Sequence, residues 1–108
     1  MPDNSQSIKD DIESFYNEAH DDYVGLWQIF RRTHNRLIES DVADTQTLEI
    51  VRALIARGLL AGNLTKDGGF EPWEEEQPDA VVNRVQREWR QLGRAPTIDD
   101  IAWFHLPR

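Results

Sequence analysis

Three histidines and twenty carboxylates are the groups of this chain best suited to acid, base or ligand chemistry, and there is no cysteine. His20 adjoins Asp21 and Asp22, a carboxylate–histidine neighbourhood of the kind that can orient a base or a metal ligand. His34 and His105 fall in other expected elements, so the three show no metal-ligand spacing. No Ser/His/Asp arrangement has a recognisable local context. His20 therefore reads as an exposed histidine at a helix end, and no catalytic residue, metal or cofactor is expected. The carboxylates are more suggestive. Residues 1–25 carry seven acids and one Lys, and residues 71–80 carry five acids and no base. Such blocks can attract a cation or a basic protein surface, or can be a solvated loop favoured by the dipole of the next helix.

Net charge is −8 and the pI about 4.7. Phosphate backbones are repelled by that balance, and nucleic-acid affinity is largely phosphate neutralisation. The arginines are nevertheless spread over the expected helices, with Arg84, Arg87, Arg90 and Arg94 at spacings that can form one broad face. A chain of 108 residues fits one domain and buries roughly two-thirds of its unfolded surface. No apolar run approaches membrane-spanning length and no signal peptide is legible, so the cytoplasm is the expected compartment.

These residues must be positioned by elements that periodicity makes legible. Residues 1–6 are polar and expected to fray. Ser7, with Asp10 three residues on, opens a first helix over 8–20 whose apolar positions are Ile8, Ile12, Phe15, Tyr16 and Ala19. Asp21-Asp22 ends it. A second helix starts near Tyr23 and Val24, with Leu26, Trp27, Phe30, Leu37 and Ile38 on its apolar side. Asp44 or Thr45 caps a third, buried through Leu48, Ile50, Val51, Leu54 and Ile55, and Gly58 stops it. Residues 59–64 read as a strand, 65–69 as a turn, and 70–73 as a brief strand limited by Pro72. Pro78 opens a fourth helix that Gly93 closes, and 101–106 is a last strand expected to pair with 59–64.

A helix stopped by Gly58, an apolar strand and an Asp67-Gly68-Gly69 turn resemble the exit from the third helix of a winged helix-turn-helix into its wing, and the likeness covers residues 8–73. The C-terminal half, with Asp67-Gly-Gly-Phe-Glu-Pro-Trp73, Arg87-Glu-Trp-Arg-Gln-Leu-Gly93 and Asp100-Ile-Ala-Trp-Phe104, resembles small acidic bacterial proteins of immunity or antitoxin type. The resemblance implies an α+β, winged-helix-like domain over 7–108, with about four helices and a small antiparallel sheet. The full helix at 78–92 departs from the winged-helix pattern and puts DNA reading by the wing in doubt.

The favoured function is non-enzymatic binding of a basic protein, a toxin being one such partner. Phe70, Glu71, Trp73, Glu74, Glu75, Glu76 and Asp79 are the candidate binding residues. Trp73, after Pro72 in a polar loop, is either an exposed anchor or a plug over the sheet. The alternative is a DNA-binding regulator that reads bases with Thr45, Gln46 and Arg52 and touches phosphate with Lys66, the one basic residue in the wing.

Overall fold

The computed structural model describes residues 4–37, 39–98 and 100–107. It is an α+β fold of four helices and a small antiparallel sheet, as expected. Helix α1 spans Asn4–Glu18, β1 Val24–Gly25, α2 Leu26–Arg36, α3 Ser40–Ala56, β2 Leu60–Leu64, β3 Phe70–Pro72, α4 Pro78–Leu92 and β4 Trp103–His105. Of the expected frayed end, residues 1–3 lie outside the described residues, as does Ile38, while 4–6 already belong to α1.

Two helix starts differ from expectation. Residues Val24 and Gly25 form a strand rather than the first turn of α2, because their partners Phe104 and Trp103 stand at the far end of the chain. No local pattern can signal a two-residue strand. α2 then begins after Gly25, whose N–H donates to the Gln28 side-chain oxygen at 2.6 Å. α3 starts at Ser40 rather than at Asp44 or Thr45. The polar run reads as a turn, yet Ala43 is fully buried and Asp41 sits in the first helical turn, where the macrodipole favours an acid. Thr45 is inside the helix, its hydroxyl donating to the Asp41 carbonyl at 3.0 Å.

α3 is the centre of the molecule, with α1, α2 and α4 all packed on it. Ile50, Val51 and Leu54 are fully buried there, with Leu26 and Ile29 of α2 and Val81 and Val85 of α4. Gly58 and Gly93 end α3 and α4 at left-handed φ values of 106° and 71°. Between α2 and α3 the buried hydroxyls of Thr33 and Thr47 meet at 2.6 Å.

The strand order is β1-β4-β2-β3, every neighbouring pair antiparallel. The expected pairing of the last strand with the first long one is present as Leu60↔His105, Ala61↔Phe104 and Gly62↔Trp103. Side chains alternate between the faces of a strand. One face buries Val24, Ala61 and Phe104 against the helices. The other carries Tyr23, Leu60, Leu64, Phe70, Trp103 and His105, and each of these keeps some solvent exposure.

Trp73 N–H donates to the Ala61 carbonyl at 2.8 Å, so by alternation Phe70 and Pro72 turn their backbone groups away from β2. Pro72 has no N–H to offer at that outer margin. The chain enters β4 through a tight turn in which Ala102 N–H donates to the Asp100 carbonyl at 2.8 Å around Ile101, at φ 66°. Among the described residues, no helix is long and apolar enough to cross a membrane.

Candidate functional site

The open sheet face is organised around three rings from three segments. Tyr23, just before β1, stacks on Phe70 of β3 with centroids 5.6 Å apart and planes 14° from parallel. His105 of β4 tilts against both, at 5.2 Å from each. β2 lies between β4 and β3, so rings from its two neighbours can meet only if β2 offers no side chain where they cross. Gly62 meets that need: a Cβ there would stand 2.6 Å from the Phe70 ring edge. Gly25 plays the same part further along, where a Cβ would fall 2.6 Å from the Trp27 ring. The two strand glycines let aromatic rings approach the backbone closely.

Beside these rings is a cleft of about 260 Å³ lined by Asp21, Asp22, Tyr23 and His105 among others. Asp21 and Asp22 are exposed, and the Asp22 carboxylate accepts the Tyr23 N–H at 2.8 Å. His20, at the rim, contacts the Tyr16 carbonyl through Nδ1 at 3.0 Å and packs edge-on against the Tyr16 ring.

The structure divides the residues expected to act together at 70–79. Phe70 is on the open face, whereas Glu71, one position on, leaves from the opposite face. Trp73 takes the plug position and is unavailable as an exposed anchor. It is 7% exposed, its indole N–H donates to Asn63 Oδ1 at 2.8 Å, and the Arg84 guanidinium lies 3.9 Å from its ring centre. Glu75 is paired with Arg84 at 2.8 Å, and that hydrogen bond holds its carboxyl below the usual range. Asp79 pairs with Arg52. Glu71, Glu74 and Glu76 are exposed and, among the described residues, without an ion pair. Tyr23 and His105 were not among the expected site residues. The sequence signal for His105 is its place in the strand expected over 101–106, where alternation puts it on the face opposite Phe104.

Some of the N-terminal acids are compensated from within, though Asp21 and Asp22 have no ion pair among the described residues. Asp11 is buried and bridges Arg32 and Arg36. Glu13 pairs with Arg57, whose hydrogen bond lowers its pKa. Glu18 accepts from the Gln28 amide at 3.2 Å.

The DNA-reading set fares differently from expectation. Gln46, a proposed base reader, is buried and accepts from Arg36 at 3.0 Å. Thr45 is exposed, but the open strip of α3 it belongs to also carries Asp41 and Glu49, and Arg52 on that strip is matched by Asp79. Lys66 is exposed in the hairpin turn, far from any cluster of like charge in sequence. The broad arginine face is also broken up. Arg84 is held by Glu75 and Glu88, and Arg94 lies beyond the end of α4 and is held by Asp100 at 2.8 Å. Arg87 and Arg90 alone remain open on it.

No family model, curated protein or solved structure matches this chain.

Proposed function

We propose that this chain is a non-enzymatic binding domain for a basic protein, an immunity-like or antitoxin-like inhibitor acting in the cytoplasm. One observation carries the reading. Six arginines, Arg32, Arg36, Arg52, Arg57, Arg84 and Arg94, are matched by carboxylates of the same chain, while Asp21, Asp22, Glu71, Glu74 and Glu76 are exposed and have no such match. These pairs take part of the positive charge inward, and the net charge of −8 makes the overall outward field negative. Such a field raises the encounter rate with a cationic macromolecule and lowers it with nucleic acid. Inhibition would follow by occlusion, the carboxylates standing where a polyanionic substrate of the partner would bind.

The order helix, strand, helix, helix, hairpin favours a winged-helix DNA-binding regulator as the second reading. Its weakness is chemical, since Gln46 is buried and Arg52 is neutralised.

The test is a calorimetric titration against the product of the adjacent reading frame at two salt concentrations. Wild type is compared with a variant in which Glu71, Glu74 and Glu76 are changed to Gln and another with Asp21→Asn and Asp22→Asn. Salt-sensitive binding weakened by either variant is expected. Binding that ignores both variants, or tight selective capture of duplex DNA, overturns the proposal.

A further inference from the structure

Within its own fold this chain repeats one arrangement three times. Arg84 lies 3.9 Å from the ring centre of Trp73 and is bonded to Glu75. Arg57 lies 4.8 Å from the ring centre of Tyr16 and is bonded to Glu13. Arg32 lies 4.8 Å from the ring centre of Phe15 and is paired with Asp11. In each case a guanidinium rests on an aromatic ring while a nearby carboxylate takes its N–H groups. The two contacts are compatible because guanidinium is planar, so its face can stack while its edge donates.

The same two components meet on the open face of the sheet. Tyr23 and Phe70 form a stacked aromatic surface, and Asp21 and Asp22 border the cleft beside Tyr23. Among the described residues no arginine lies over either ring. We infer that this face docks an arginine-bearing segment of the basic partner, one guanidinium resting on the Tyr23 ring, which Phe70 backs by stacking, with its edge toward Asp21 and Asp22. The inference rests on the binding reading above and specifies its surface and chemistry. Charge complementarity selects a cationic occupant. The aromatic surface selects arginine over lysine, whose ammonium is a strongly hydrated point charge without a stacking face. Pro72 weakens strand addition at the margin, because of the two outward backbone positions of β3 only Phe70 has an N–H to donate.

The experiment is a nitrogen-15 amide titration of the full chain with acetylated, amidated tri-arginine, and in parallel with tri-lysine of the same form. Shifts confined to Tyr23, Phe70, His105 and the Asp21–Asp22 segment are expected, larger with tri-arginine. Asp21→Asn with Asp22→Asn, exposed and harmless to folding, and Phe70→Leu, checked by circular dichroism, are each expected to weaken that binding about tenfold. Equal effects of the two peptides spread over Glu49, Glu74 and Glu76, or no shift at all, overturn the inference. The first of those results leaves the acidic-binder reading standing. Local tri-arginine binding without any response to a basic protein would remove that reading and keep the surface.

Discussion

The guanidinium of Arg84 lies over the indole of Trp73, 3.9 Å from its centre, while its N–H groups reach Glu88 at 2.6 Å and Glu75 at 2.8 Å. This set closes the helix side of the β2–β3 hairpin. Trp73→Ala removes a buried ring and exposes the hairpin's underside. It is expected to cost about 3–5 kcal/mol, the usual range for truncating a buried large aromatic. Trp73→Phe keeps the ring surface and loses the hydrogen bond to Asn63, an exposed side chain that water can satisfy, so about 1 kcal/mol is expected. Urea unfolding followed by circular dichroism measures both, and a Trp73→Ala variant as stable as wild type would show that the ring does not plug the sheet.

Asp11 is the one buried carboxylate among the described residues, and it holds α1 to α2 through Arg32 and Arg36. Arg36 continues to Gln46 of α3. Asp11→Ala leaves two cations without their anion. Both arginine side chains are partly solvated, at 44% and 27% exposure, so the cost should fall below the full penalty for orphaning a buried charge. About 2–3 kcal/mol is expected. The double change Asp11→Ala with Arg36→Ala should be less destabilising than the sum of the singles, and strict additivity in the same denaturation assay would contradict the bridge.

Acid should loosen the approach to β4. The Asp100 carboxylate accepts from Arg94, the Thr97 N–H and the Thr97 hydroxyl, and its pKa falls from 3.8 to about 2. A folded pKa below the unfolded one means that the contribution is complete above the unfolded value and disappears as pH falls through the folded one. The loss belongs to the window from about pH 4 to pH 2. Glu13 and Glu75 are lowered by Arg57 and Arg84 and reinforce the trend. Urea midpoints measured from pH 5 to pH 2 should fall more gently in Asp100→Asn than in wild type. Parallel curves would show that this carboxylate is not linked to folding.

Duplex DNA should not be held. With Arg52 matched by Asp79, and Asp41 and Glu49 exposed on the same helix, α3 offers no net positive strip. Passage through heparin without retention at about 0.15 M salt is expected, where a DNA-binding domain making several phosphate contacts would be held. Retention that decreases in Lys66→Ala would revive the DNA reading.

The elements legible in the sequence were those whose signals are local. α4 runs from Pro78 to Leu92 because proline fixes its start, glycine its end, and Val81, Val82 and Val85 its buried stripe. The β2–β4 pairing was legible because both segments are apolar and bounded by turns. β1 was not, since two residues carry no periodicity and pair only with Phe104 and Trp103. The start of α3 was hidden because Ser40–Asp44 is polar, and packing of Ala43 overrides that local preference. At the site, charge and aromatic content were visible from composition. Which carboxylates remain open was not, because Arg57 meets Glu13 and Arg84 meets Glu75 only after the chain has folded. The partition of Phe70 from Glu71 follows from strand alternation once β3 is placed.

The strand order β1-β4-β2-β3 sets the direction of synthesis against the direction of assembly. β4 is the last of the four described strands to be made and must enter between two that were made earlier, so until then β1 and the inner margin of β2 lack their partner in this sheet. A nascent chain on the ribosome can form α3 and the β2–β3 hairpin from neighbouring sequence, but the sheet closes only by a long-range search, the slow kind of step in folding. During that interval the half-built sheet carries unpaired strand edges, the kind of surface that favours misassociation.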